Sequence, residues 1–271
     1  MAHKFCPGYS GTWKTLAGDY PDATVFPAAA FRVEWGPIFH RGRLDGTARI
    51  CVIGQDPAQS ENIARRILVG QAGLRVQGFL AKLGIDRRYV MVNALLYSAY
   101  DQQQAQALVT DAAVTAYRNR WLDALLIGKK ATAVVALGGM ADTAYAAWTA
   151  ERPTDAANLT YVKVMHPTAD SHPPTTTAQL LASWNAGLTA LAGKVKPDKT
   201  RALVPYGAAF AAGELVEIPE ADLPCGIPAW MRGVSAWAER PDDPDAGASA
   251  AAKARYKRAR ILVSAPDSAI P

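Results

Sequence analysis

The segment CVIGQDPAQSENIARRILVGQAG, Cys51 to Gly73, sets a carboxylate, Asp56, directly after an apolar run that ends in glycine. Three further apolar runs end in groups of complementary chemistry. YVMVNALL carries Asn93, ATAVVALG runs into the Gly138–Gly139 pair, and TYVKVMH delivers His166 followed by Pro167. A carboxylate at the mouth of a parallel sheet is in the usual seat of catalytic acids and bases. An imidazole moves or donates protons, a carboxamide both donates and accepts, and paired glycines let a ligand approach the backbone. Ligands of open parallel sheets bind beyond the carboxyl ends of the strands. If the four runs are such strands, Gln55, Asp56, Asn93 and His166 stand on one rim.

The elements needed for that placement are legible. The runs at 48–54, 89–96, 131–138 and 160–166 are short, rich in Val or Ile, and almost continuously apolar. Strands covered on both faces have this pattern. Helical patterns follow each: 70–85 with Leu74, Phe79, Leu80 and Leu83 on one face, a long amphipathic helix over 104–128 ended by Gly128, then 139–148, then 175–193 with a threonine N-cap. Alternation of strand and helix predicts right-handed crossovers and an α/β fold. The expectation is three layers, α/β/α, around a four-stranded parallel sheet, with a C-terminal extension. Residues 1–195 form the α/β domain and 1–47 wrap around it irregularly. Residues 196–271 pack on as the extension, with short strands at 201–207 and 213–219 and a linker or loop at 240–252.

With 271 residues, 50% hydrophobic and 20% charged, the chain has enough apolar content for a sizeable core. No apolar run spans a bilayer and the N-terminus lacks a signal-peptide h-region, so a cytoplasmic protein with no membrane contact is expected; it is expected to be a monomer. The net charge of +5 permits nucleic-acid binding without establishing it. Part of it lies in KARYKRAR (253–260), which by itself reads as a solvated helix face. Three scattered cysteines, Cys6, Cys51 and Cys225, make neither a zinc site nor an iron–sulfur cluster, so no metal or cofactor is expected. Cys51, inside a strand, reads as core.

Taken together, four motifs resemble the uracil-DNA glycosylase superfamily. GQDPA is similar to GQDPY of the best-known branch, and RRILVGQAG to the R-P-F-V-G-x-A-G segment of the iron–sulfur branches. VNALL is similar to the strand bearing the uracil-reading asparagine, and MHPTADSHP to H-P-S-P-L. The resemblance runs in order over about 48–190. It implies hydrolysis of the N-glycosidic bond of uracil in single- or double-stranded DNA, leaving an abasic site. By resemblance Asp56 stabilises the cationic sugar and positions the attacking water. His166 donates to the leaving base, helped by backbone N–H groups around Gln55, and Asn93 reads the uracil edge. Leu68 takes the place of the aromatic residue that stacks on the base, and Ala58 that of the tyrosine that blocks a C5-methyl. Asp170 replaces the leucine wedge by simple counting, and the cluster cysteines are missing. Arg65, Arg66, Thr168, Asp170, Ser171 and His172 are the candidates for facing DNA.

Each residue also has a plain structural reading. Asp56 could cap a helix, Asn93 could be a buried amide, His166 a core histidine, Leu68 simple packing, and Arg65 and Arg66 a solvated pair. Two other functions compete with excision. One is a uracil-DNA binding protein with little turnover, although NALLYSAYDQQQAQ lacks the basic insert and histidine of the branch that grips uracil-DNA covalently. The other is hydrolysis of a small nucleoside or base derivative, which would be insensitive to salt.

Overall fold

A computed structural model describes residues 8–239, 249 and 260–267. Its centre is a sheet in the order β1-β3-β2-β4-β5. Strands β2 (Ile50–Gly54), β3 (Tyr89–Asn93), β4 (Ala133–Leu137) and β5 (Thr160–Val164) are the four expected parallel strands. A fifth, β1 (His40–Gly42), pairs antiparallel with β3 and belongs to the segment read as irregular wrap. Its three residues carry His, Arg and Gly rather than an apolar run, so no period marked it as a strand.

Alternation along the strands sorts the core into two faces. Cys51, Ile53, Val90, Val92, Val134 and Ala136 face one side. There they meet α5 (Ala112–Leu126) and α6 (Gly139–Glu151), and the N-terminal segment with its short helix α1 (Gly11–Gly18). Ile50, Val52, Met91, Val135, Val162 and Val164 face the other, against α3 (Gly70–Lys82) and α8 (Thr177–Leu191). The three-layer α/β/α arrangement is therefore as expected. Each layer is held by apolar area removed from water, worth roughly 25 cal/mol per Å². β5 is the outer strand; its Tyr161 and Lys163 point outward and both bond Asp142 of α6, at 2.5 and 2.7 Å.

Two expectations are corrected. The helix predicted over 104–128 is two helices, α4 (Gln102–Leu108) and α5. Asp101 and Asp111 each accept two backbone N–H groups of the helix that follows. A carboxylate that caps a new helix ends the old one at lower cost than continuing it. The strands predicted at 201–207 and 213–219 do not form. Their extended backbone bonds single groups instead: Tyr206 N to Asn185 Oδ1 at 2.7 Å, Val216 N to Leu74 O at 3.1 Å, Ile218 N to Arg232 O at 3.0 Å. Among the described residues neither segment joins a sheet. The loop predicted at 240–252 and the basic segment 253–260 lie almost entirely outside the described residues, as does Cys6.

The C-terminal segment is nonetheless built into the core. Tyr206, Ile218, Met231 and Trp237 are buried. Its Asp222 pairs at 3.4 Å with Arg41 of β1, whose side chain is wholly buried, and Tyr89 donates to the same carboxylate. Arg41 also donates to Ile67 O and Gln77 Oε1, each at 3.1 Å. A buried guanidinium needs that many acceptors, because an uncompensated charge in the interior costs several kcal/mol, about 3–5 when one partner is removed.

Candidate active site at the carboxyl rim

β2 ends at Gly54 beside Asn93, the last residue of β3. Even one methyl group on Gly54 would collide with Asn93 Oδ1. The glycine therefore forms an open floor over which the carboxamide lies. Asn93 is 7% exposed, and among the described residues its Oδ1 has no hydrogen-bond donor. A buried acceptor left unpaired costs about 1–3 kcal/mol, so the atom is set for a donor from elsewhere. Leu68 closes one side; its Cδ1 lies 3.8 Å from the point where a Gly54 side chain would begin. Leu68 has φ +52°, a conformation that costs a leucine roughly 1–2 kcal/mol. Strain of that size persists where the surroundings hold a side chain in one place.

On the other side, Gly138 has φ +89° and packs so closely that a side chain would strike the Gln55 amide and crowd His166 Cβ. Gln55 Nε2 reaches Leu137 O at 3.5 Å, which ties the loop after β2 to the end of β4. His166 is half-buried just beyond β5. The Thr168 N–H donates to its Nδ1 at 3.4 Å, and Thr168 Oγ1 lies 3.1 Å from the same atom. An Nδ1 that accepts leaves the proton on Nε2. Burial first, and the charge of His172 second, push the imidazole down to about 4. At neutral pH His166 is an uncharged N–H donor.

Asp56 stands where the loop leaves the rim, half-buried. Its Oδ2 accepts from Ala99 N at 3.1 Å and from Gln102 Nε2 at 3.5 Å. These contacts orient Asp56 by the loop after β3. The N-terminal segment holds that loop in turn, since Arg32 N donates to Ser98 O at 2.9 Å and Arg32 stacks 4.8 Å from the Tyr100 ring. Gln55, Asp56, Leu68, Asn93 and His166 thus share the rim, with a neutral donor, a carboxylate and a buried carboxamide. Ala58 is exposed and starts α2 (Gln59–Ala64), leaving its side of the rim without a bulky side chain.

The residues expected to face DNA divide. Ser171 and His172 are exposed beside the rim. Thr168 is engaged with His166. Arg65 is half-buried and donates to Pro37 O at 2.8 Å, which braces the segment before β1, and Arg66 donates to the adjacent Arg65 O at 2.9 Å. Asp170 turns inward, which corrects its placement toward DNA. Its side chain is 7% exposed and pairs with Arg75 of α3 at 2.7 Å, while Thr177 donates to the other oxygen at 2.9 Å. These partners hold the Asp170 carboxyl below the ordinary carboxylate range against the opposing effect of burial, the largest single influence on it.

Two residues of this neighbourhood escaped the sequence reading. Arg75 also donates to Pro167 O at 2.5 Å and lies 4.6 Å from the Phe210 ring, so it fastens the loop carrying His166. An arginine among Leu74, Val76 and Phe79 was a visible signal. Glu61 is 4% exposed and accepts the Ala58 N–H at 2.6 Å. Burial raises it to about 7, with the charge of Asp56 also acting upward. Nothing in AQSE distinguishes it from a surface glutamate. Among the described residues no group of three or more His, Cys, Asp or Glu is placed to hold a metal ion. Cys51 is a buried core residue whose thiol burial pushes up to about 12.

No curated protein matches the chain closely enough to count as a relative. The family described as "Uracil DNA glycosylase superfamily" matches residues 41–188, from the edge strand β1 through most of α8. That span is more than half of the chain and holds every rim residue above. The chain belongs to the uracil DNA glycosylase superfamily, a family of DNA-repair glycosidases.

Proposed function

We propose that the protein excises uracil from DNA as a monofunctional glycosylase, leaving an abasic site. The observation that carries this reading is the unpaired, buried Oδ1 of Asn93 above the Gly54 floor. Uracil offers an N3–H donor beside its O4 acceptor, the complement of a carboxamide; cytosine offers an acceptor at N3 and a donor at C4. The base enters after rotating out of the stack, packs on Leu68, and presents O2 to His166 and to N–H groups around Gln55.

In the reaction the C1′–N1 bond breaks and its electron pair leaves with the base. The neutral His166 N–H stabilises the resulting anion without giving up its proton, as an oxyanion donor does. Asp56 steadies the cationic sugar and takes the proton of the water that bonds to C1′. The enzyme acts as a monomer on single- or double-stranded DNA.

The test uses end-labelled oligonucleotides bearing uracil, thymine, hypoxanthine or xanthine, cleaved with alkali after incubation. Strand breaks at uracil alone are expected. Tight retention of uracil-DNA with no breaks would replace excision by the binding-protein reading. Breaks at hypoxanthine or xanthine in preference to uracil would remove Asn93 from base recognition.

A further inference from the structure

The loops at the amino-terminal ends of the strands carry most of the excess positive charge. Arg43 and Arg49 lie between β1 and β2, Arg87 and Arg88 lead into β3, and Lys129 and Lys130 lead into β4. The stretch after α8 adds Lys194, Lys196, Lys199 and Arg201. These segments form one surface. Arg49 donates to Lys196 O and Pro197 O at 2.7 and 3.1 Å, and Thr132 to Lys194 O at 3.1 Å. Arg43 donates to Arg87 O at 3.4 Å, and the Lys130 N–H to Gly46 O at 3.3 Å. Only Arg49 of the ten is less than exposed.

The acids within these segments are Asp45, Asp86 and Asp198. They pair with Arg43, Lys199, Arg201 and Arg88 at 3.2–3.8 Å. Arg87, Lys129, Lys130, Lys194 and Lys196 have no carboxylate partner among the described residues. Ten of the chain's 29 basic residues and three of its 24 acidic ones are here, leaving 19 against 21 elsewhere. Helix dipoles explain part of this. α5 and α8 end at this pole, and a lysine just past a helix C-terminus is favourable. That accounts for Lys129 and Lys194. It does not account for arginines before β2 and β3, or for Lys196, Lys199 and Arg201, well beyond the last turn. The next connection at the same pole, 151–159, which holds the short helix α7 (Pro153–Ala156), brings one arginine against two acids and lies outside the surface.

We propose that this amino-terminal pole is a second nucleic-acid-binding surface, gripping the sugar–phosphate backbone of a segment other than the one at the carboxyl rim. Five-residue strands separate the two poles by roughly 16 Å, and the surfaces face opposite ways. A duplex lying on the rim does not reach it. Nine exposed cations, five of them free of carboxylates, suit a chain of phosphates, whose binding is driven by counterion release and needs no apolar anchor. Such a surface would hold the enzyme on DNA between target sites.

The experiment is the variant Lys129→Glu/Lys130→Glu/Lys194→Glu/Lys196→Glu, with the same four lysines changed to glutamine as a milder partner. All four side chains are exposed, and circular dichroism checks the fold. Anisotropy with an undamaged duplex, at salt between about 50 and 200 mM, should show affinity reduced at least tenfold and a flatter salt slope. Single-turnover excision from a uracil oligonucleotide too short to reach both poles should be unchanged. The duplex measurement needs no uracil, so it stands even if another base is the substrate. Unaltered affinity and slope in both variants would overturn the proposal. So would poly-glutamate binding that the glutamates abolish while duplex affinity is unmoved, which assigns the surface to an acidic protein.

Discussion

Replacing Asp170 by alanine should injure both stability and catalysis, through the clamp that holds the His166 loop. Arg75 Nη1 lies 2.7 Å from Asp170 Oδ1 and 2.5 Å from Pro167 O, and the paired side chains are 9% and 7% exposed. Removing the carboxylate leaves the guanidinium buried with one acceptor fewer, a loss of about 3–5 kcal/mol. The double change Arg75→Met/Asp170→Leu removes both charges and should cost less than either single change. The loop would be looser by a fraction of an ångström to an ångström, which can lower a rate by about a hundredfold. The carboxyl of Asp170 is lowered in the folded protein, so its contribution is present above the unfolded value and is lost as pH falls through the folded one. Denaturant midpoints at neutral pH measure the stability, and single-turnover excision under conditions where each variant is folded measures the rate. An Asp170→Ala protein within about 1 kcal/mol of the parent, or one excising at the parental rate, would refute the clamp.

His166→Ala should lower the single-turnover rate on the order of 10²–10³-fold, and because the imidazole is pushed down to about 4, the parent should show no His166 limb between pH 6 and 8. Asp56→Asn should lose a comparable or larger factor in rate while binding uracil-DNA nearly as well, measured by separate binding curves. Asn93→Asp should lose uracil excision or shift toward cytosine, since a carboxylate only accepts; full uracil activity would make Asn93 structural. Glu61 has its folded value raised from 4.5 to about 7, so the folded state keeps a proton that the unfolded chain releases. Stability from this group therefore declines as pH rises from about 4.5 to 7 and is level above; Glu61→Gln should remove that slope in denaturation midpoints at about pH 5 and about pH 8.

The four parallel strands were legible because each is buried on both faces, and burial on both faces writes a continuous apolar run into the sequence. The strand-end residues Asp56, Asn93 and His166 followed from that, since a parallel sheet brings its carboxyl ends to one rim. β1 left no such mark: three residues reading His-Arg-Gly become a strand only because β3 has an open edge. The break at Asp111 was masked by an apolar period that continues across it. The inward turn of Asp170 depends on Arg75, 95 positions away in sequence. Burial of Glu61, the pairing of Asp222 with Arg41, and the gathering of basic loops at one pole likewise depend on partners distant in the chain. Local pattern records what a residue does with its neighbours within a turn or a strand. Which charge is buried, which is paired and which meets solvent is set by segments that approach only after folding, and tertiary structure alone decided it here.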